Sequence, residues 1–184
     1  MLNQGQKGNV RNVDYTDYEE DIYVGYRYFD SFEVPVSYPF GFGLSYTTFE
    51  YSDAKISQSD DAISVTVTVK NTGDREGKEV VELYVAAPDA KAANKPAKEL
   101  KAYAKTNALK AGESETLTLT VKAADLASFD EAASAWVVAE GEYQFLVAAS
   151  AQDIKATLTA PVTAQQTKVH DALKPQAQMN LLKR

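Results

Sequence analysis

An alternating run at residues 62–71 constrains this chain more than any other feature. Ile63 and the valines at 65, 67 and 69 alternate with Ser64, two threonines and Lys70. Successive side chains of a β-strand point to opposite faces, so this pattern predicts a strand with one buried and one exposed face. The NTGD sequence at 71–74 then predicts a turn, because Asn, Gly and Asp favour turn conformations.

Similar patterns recur along the rest of the chain. Residues 80–85 and 154–158 are further strand candidates, and apolar side chains occupy every second position at 117–121 and 143–147. Strands at this spacing, with turns between them, predict an all-β sandwich of about seven strands. The alanine-rich stretches at 86–97 and 123–135 are interpreted as loops. Trp136, which precedes two valines, is predicted to be a core or inter-sheet residue.

An aromatic stretch before the sandwich has apolar side chains that must be buried against another surface. Residues 22–29 (IYVGYRYF) are rich in aromatic and β-branched side chains and are interpreted as a strand. Both faces of such a strand are largely apolar, and strands of this kind are usually covered on both sides. A small sandwich offers few such places, so we predict that this segment packs against a larger body. Residues 37–46 follow as a turn-rich loop containing Gly and Pro.

Composition excludes several classes of function. The chain has 184 residues with 19 basic and 26 acidic side chains, a net charge of −7. Nucleic-acid binding requires clustered positive charge, so no nucleic-acid partner is expected. The absence of cysteine excludes disulfides and thiolate chemistry. No apolar run approaches the roughly 18 residues of a membrane span, and the first seven residues lack the apolar stretch of a signal peptide.

Several motifs, in a fixed order, resemble one enzyme family. YEEDIYVGYRYFD at 18–30 and YPFGFGLSYTTF at 38–49 are similar to the end of the second catalytic-body domain and the following linker of family 3 glycoside hydrolases. Four later segments resemble the C-terminal fibronectin type III-like domain of that family: VKNTGDREGKEVVELYV at 69–85, KEL at 98–100, LKAGES at 109–114 and GEY at 141–143. The resemblance covers most of the chain, roughly residues 15–158.

The resemblance implies a fold and a division of the chain. Residues 49–163 are expected to form an immunoglobulin- or fibronectin type III-like β-sandwich, with an arm and linker at 1–48 and a tail at 164–184. Family members are β-glucosidases, β-xylosidases and related enzymes whose nucleophile and acid/base lie on other domains. No stretch here matches the nucleophile motif. The resemblance therefore implies a non-catalytic accessory domain with no cofactor, no metal and no catalytic residue.

The same resemblance implies partners and a location. The chain is expected to stabilise the catalytic domains of a parent hydrolase, and homodimer contacts are a further possibility. Family analogy places such enzymes in the periplasm or outside the cell. Without a partner, the sandwich is expected to fold while the arm before residue 49 stays mobile or self-associates. The predicted domain interface consists of Tyr23, Tyr26, Arg27, Tyr28, Phe40, Phe42 and Tyr46.

The remaining candidates for chemistry have structural interpretations. The acidic run at 19–21 is interpreted as a solvated turn, or else as a rim contact with the parent enzyme. Asp125 and Asp130 are interpreted as turn-bracing side chains, and His170 as a surface or docking residue. The rival hypothesis is a carbohydrate-binding module, which requires at least two exposed, coplanar aromatic rings.

Overall fold

The computed structural model describes residues 19–170 and 181–183. Within these ranges it contains one α-helix, one 3-10 helix and ten strands. Helix α1 spans Tyr26–Ser31 and the 3-10 helix spans Ala123–Leu126. The strands are β1 Phe49–Gln58, β2 Ala62–Asn71, β3 Val80–Ala86, β4 Glu99–Lys105, β5 Ser114–Lys122, β6 Ser128–Asp130, β7 Ala135–Val138, β8 Gly141–Ser150, β9 Asp153–Val162 and β10 Gln165–Lys168.

Seven of these strands form the predicted β-sandwich. One antiparallel sheet has the order β1-β2-β5 and the other the order β4-β3-β8-β9. A single hydrophobic cluster contains side chains from both sheets. The alternation in β2 is confirmed, because Ile63, Val65, Val67 and Val69 are each at most 1% exposed. The all-β sandwich is therefore confirmed, and burial of these side chains is its main source of stability.

Strand β3 is buried on both faces, which explains how the rest of the chain is arranged. Val81, Leu83 and Val85 belong to the cluster between the sheets, whereas Glu82 and Tyr84 alternate with them and point to the outer side. Glu82 is nevertheless only 6% exposed and Tyr84 is fully buried. Their cover comes from residues 19–46, which we call the N-terminal layer.

The strand predicted at residues 22–29 is wrong, because this part of the N-terminal layer contains helix α1. Gly25 has a φ of 60° and interrupts the extended chain. Its carbonyl accepts hydrogen bonds from the backbone N–H groups of Tyr28 and Phe29. Aromatic and β-branched side chains favour strands, and here their contacts with the sandwich override that preference.

The prediction for Trp136 is also wrong. Strands β6, β7 and β10 form a third, small antiparallel sheet in the order β10-β7-β6. Trp136 on β7 lies opposite Phe129 on β6, and the two side chains are 48% and 39% exposed. The neighbouring residues Ala135 and Val138 are buried instead. The loop interpretation holds for residues 87–97, whereas 123–135 also contains β6.

The described residues after 163 contact the third sheet and the N-terminal layer. Strand β10 pairs with β7, and the backbone N–H of Leu182 donates to the carbonyl of Glu19 at 2.8 Å. In the described part of the chain, no helix has the length and apolarity required to cross a bilayer.

Candidate functional site

Helix α1 is attached to the sandwich through three side chains. Tyr26 and Asp30 share a helix face because they lie four residues apart, and Ser31 is the last residue of the helix. The Tyr26 hydroxyl accepts from the backbone N–H of Leu100 at 2.8 Å, and the Ser31 hydroxyl accepts from that of Ala97 at 2.9 Å. Burial raises the pKa of Tyr26. The helix therefore binds the start of β4 and the residues just before it.

A buried ion pair reinforces this attachment. The Lys98 ammonium lies 2.8 Å from a carboxylate oxygen of Asp30, and the two side chains are only 15% and 7% exposed. The second oxygen of Asp30 accepts from the side-chain amide of Gln152 at 3.3 Å. Arg27 makes a longer and more exposed contact with Glu99 at 3.5 Å. The Lys98–Asp30 pair is thus the more strongly desolvated connection.

The predicted interface residues that lie before residue 30 make contacts within this chain. Tyr23 is 1% exposed, packs edge-on against Phe32 and donates its hydroxyl to Asn94 at 3.0 Å. Tyr28 is half-buried and its ring centroid lies 5.0 Å from that of Phe32. Tyr26 contacts the ring of Tyr84 at 5.6 Å. Tyr26 therefore covers part of the outer sheet face of its own chain. That the segment also packs against a larger body stays a prediction.

The later predicted interface residues remain on the surface. They lie in residues 38–46, which we call the aromatic loop. Phe40 and Phe42 are each 49% exposed, and Tyr46 is 95% exposed. Leu44, which sequence reasoning did not single out, is 93% exposed, and Tyr38 is 71% exposed. Five large apolar side chains within nine residues form the type of patch that marks an interaction surface.

The aromatic loop is nevertheless held in a defined position. The backbone N–H of Ala151 donates to the Phe40 carbonyl at 2.8 Å, and that of Phe42 donates to the Pro39 carbonyl at 3.1 Å. The ring of Phe40 packs against Tyr26 with centroids 5.1 Å apart. The loop backbone is therefore fixed on the sheet while its outer side chains face solvent.

A fully buried amide anchors the end of this loop. The side-chain nitrogen of Asn71 donates to the carbonyls of Arg75 at 2.7 Å and Leu109 at 2.8 Å. Its oxygen accepts from the Thr47 hydroxyl at 2.6 Å and the Gly73 N–H at 3.1 Å. All the hydrogen-bonding capacity of this amide is used. The sequence predicts only a turn at Asn71 and gives no sign of this role.

An open groove of about 660 Å³ lies between the aromatic loop and the sheet. Two acids, Glu79 and Asp153, lie on its wall. The Tyr51 hydroxyl donates to Glu79 at 2.9 Å, and Lys155 lies 2.8 Å from Asp153. Burial raises the pKa of Glu79, although the bond from Tyr51 and the charge of Lys155 oppose this change. Both carboxyls thus have partners within the groove.

A third acid, Glu82, lies beneath the aromatic loop. The Tyr84 hydroxyl donates to its carboxylate at 2.7 Å. Burial raises the pKa of Glu82, and the bond from Tyr84 partly offsets this effect. Gly41 has a φ of 82°, and a Cβ at this position would overlap the Glu82 carboxylate. Only glycine fits at this point of the loop.

The other titratable candidates lie on the surface. The acidic residues at 19–21, together with Asp125 and His170, are exposed. The carboxylate of Asp130 accepts from the backbone N–H of Ala133 at 3.0 Å, which is the predicted turn-bracing bond. Among the residues the structure describes, no three His, Cys, Asp or Glu side chains group together as metal ligands would.

The exposed aromatic pairs are not arranged as a flat platform. The rings of Tyr38 and Phe42 are inclined by 39°, and those of Phe129 and Trp136 by 64°. A carbohydrate-binding module of the type considered above requires coplanar rings. Neither pair has this geometry.

Comparison with known proteins identifies the family. A family model described as "Fibronectin type III-like domain" matches residues 79–151. Beta-glucosidase A of Butyrivibrio fibrisolvens is 45% identical over 171 residues, which cover 81% of this chain and 20% of the relative. The chain belongs to the fibronectin type III-like domains of family 3 glycoside hydrolases. The resemblance identified from the motifs is thereby confirmed.

Solved structures share both the fold and the sequence of this fibronectin type III-like domain. Beta-glucosidase 3B of Thermotoga neapolitana, solved in complex with glucose, is 48% identical with a TM-score of 0.79, covering 83% of this chain and 21% of that one. The GH3 beta-glucosidase of Bifidobacterium adolescentis is 36% identical with a TM-score of 0.74, and the match covers 83% of this chain and 23% of that one. The chain thus spans about one fifth of these relatives, in which the domain is part of a longer polypeptide.

Proposed function

We propose that this fibronectin type III-like domain is a non-catalytic accessory domain that binds the catalytic domains of a β-glucosidase through the aromatic loop. The observation that carries the proposal is the exposure of Leu44 and Tyr46, at 93% and 95%. Monomeric soluble proteins rarely present so many large apolar side chains in one short segment without a partner. A catalytic domain is the proposed partner because the relatives carry this domain within a longer β-glucosidase chain.

The loop can act as a firm support because its backbone is already ordered. The bond from Ala151 to Phe40 and the Asn71 amide fix both ends of the loop before any partner binds. Pre-organisation lowers the conformational entropy lost on association. Docking therefore buries the outer side chains with little rearrangement of the loop.

A domain exchange tests the docking role. This chain replaces the matching fifth of the Thermotoga neapolitana enzyme, and Leu44→Ser/Tyr46→Ser is introduced both in the hybrid and in the separate 184-residue chain. We expect the substitutions to lower the Tm of the hybrid by at least about 2 °C, because each buried side chain contributes about 1.5–3 kcal/mol. The separate chain should keep its Tm, because both side chains are already exposed there.

A matched control is Tyr103→Ser, which removes a 73% exposed tyrosine outside the aromatic loop. It should leave the hybrid unchanged. Equal losses of Tm in the hybrid and in the separate chain contradict a docking role. So does a hybrid that tolerates the double substitution.

The non-catalytic part of the proposal has its own test. We expect the purified chain to show no turnover of aryl β-glucosides, because it spans only about one fifth of its β-glucosidase relatives and has no stretch that matches the family's nucleophile motif. Retaining hydrolysis also requires two carboxyl groups that flank the sugar, and Glu79 and Asp153 in the groove are the pair to test. Turnover that is lost in Glu79→Gln or Asp153→Asn would show that the groove is an active site. Turnover retained in both variants indicates a contaminating enzyme.

A further inference from the structure

The carboxyl group of Glu82 is held in an unusual position between the outer sheet face and the aromatic loop. Its side chain points away from the sandwich core, yet the residue is only 6% exposed. The cover directly above it is the backbone of Gly41, in the middle of the loop. A solvent-facing carboxylate requires no such cover, and burying one without a cation is costly. The loop and the charge on Glu82 are therefore coupled.

The sheet around Glu82 supplies one hydrogen bond and no cation. On β3 the hydroxyl of Tyr84 donates to the carboxylate at 2.7 Å. The register places Tyr103 of β4 opposite Glu82 on one side and Ala148 of β8 on the other. Among the described residues, no lysine or arginine lies within ion-pair distance of Glu82.

Among the described residues, charged groups on the other elements form no ion pair with Glu82. Lys98 lies over the Tyr84 ring at 5.8 Å from its centroid, and its ammonium binds Asp30 of α1. On β1, the Tyr51 hydroxyl binds Glu79 rather than Glu82. Lys105 is two positions from Tyr103 on the same face of β4 and makes no ion pair with Glu82. Ionisation of Glu82 thus leaves a negative charge with a single donor.

We propose that Glu82 is a pH-sensitive latch for the aromatic loop, which stays on the sheet while the carboxyl is protonated and lifts to hydrate it when it ionises. The proposal deepens the proposed function, because the same loop presents Leu44 and Tyr46 to the partner. Protonation of one side chain then controls how well the docking surface is ordered.

The direction of the pH effect follows from burial. The pKa of Glu82 is raised above its ordinary value, mainly because the covered carboxylate loses hydration. A lifted loop returns the pKa of this group to its ordinary value. The closed loop is therefore fully favoured below that pH and is progressively destabilised as the pH rises through the raised value. Mildly acidic conditions favour the docking-competent surface.

Amide exchange at Ala151 measures the latch directly, because this N–H binds the Phe40 carbonyl of the loop. In the separate 184-residue chain, corrected for intrinsic exchange, the opening constant should rise by up to about tenfold per pH unit between the ordinary and the raised pKa of Glu82. Glu82→Gln keeps the shape of a neutral carboxyl and should give a flat profile. Glu142→Gln, which removes an exposed acid on β8, should keep the wild-type profile.

A second variant keeps the test decisive if Glu82→Gln folds poorly. Tyr84→Phe retains the ring but removes the donor that favours the ionised form, so the rise in opening should extend to higher pH. A flat wild-type profile, or one that is identical in Glu82→Gln, overturns the latch. Because no partner is present in the amide-exchange experiment, a negative result for the latch leaves the docking result of the domain exchange unaffected. A negative docking result likewise leaves the latch unaffected.

Discussion

Replacing Asn71 with alanine should lower the free energy of unfolding by about 3–4 kcal/mol. The variant loses four hydrogen bonds from a completely buried side chain, each with a net contribution of about 1 kcal/mol. It also leaves the Thr47 hydroxyl without the partner that fixes the end of the aromatic loop. Urea unfolding followed by Trp136 fluorescence measures this change.

Asn107→Ala is the matched control for this experiment. Asn107 also uses its side-chain amide, which donates to Glu115 at 3.0 Å, but the residue is exposed. Water replaces the lost bond there, so the expected loss is below about 1 kcal/mol. Similar losses in the two variants would mean that burial of the Asn71 amide has no special role.

The second large effect is expected for Lys98→Met. Removing the ammonium leaves the Asp30 carboxylate buried with only Gln152 as a side-chain partner. Breaking a buried ion pair on one side typically costs about 3–5 kcal/mol. Because the pair attaches α1, the backbone N–H groups of Ala97 and Leu100 should exchange roughly 100-fold faster, as 1.4 kcal/mol corresponds to a factor of ten.

Two further variants separate charge from packing. Lys98→Met/Asp30→Leu removes both charges and should recover most of the lost stability, because apolar replacements of a buried pair are often nearly neutral. Lys155→Met breaks a pair whose side chains are 33% and 54% exposed, and should cost less than about 1 kcal/mol. If the double variant is as unstable as Lys98→Met, an uncompensated charge is not the cause.

The sandwich could be predicted because its strands carry a simple repeat. In β2 every second side chain is apolar, and these side chains fill the core. A period of two residues has only one common structural explanation, which is a strand with one buried face. The family motifs lie largely in these strands and their turns, so the resemblance and the repeat agree.

The N-terminal layer could not be predicted in the same way. Its aromatic residues favour a strand on local preference, but the side chains that bind the sandwich are Tyr26, Asp30 and Ser31, and only the first two are spaced as on one helix face. Two of these three are polar, so an apolar pattern does not reveal them. Local preference gave the wrong element because long-range contacts decide the conformation of a segment this short.

The predicted interface residues differ in exposure, and the sequence does not show this difference. Residue type alone cannot separate Tyr23, which is buried within this chain, from Tyr46, which is exposed. Trp136 was misplaced for the same reason. The polar residues that position the aromatic loop, Asn71 and Glu82, gave no signal because their burial depends on segments far away in the chain.

The cover over Tyr84 has a consequence for how this domain can be moved between proteins during evolution. The family match begins at residue 79, yet the ring that shields Tyr84 belongs to Tyr26, more than fifty positions earlier. A gene fusion that transfers only the matched segment exposes a tyrosine-lined sheet face, which is prone to aggregation. The unit that recombination can transfer intact must therefore include the helix as well as the strands.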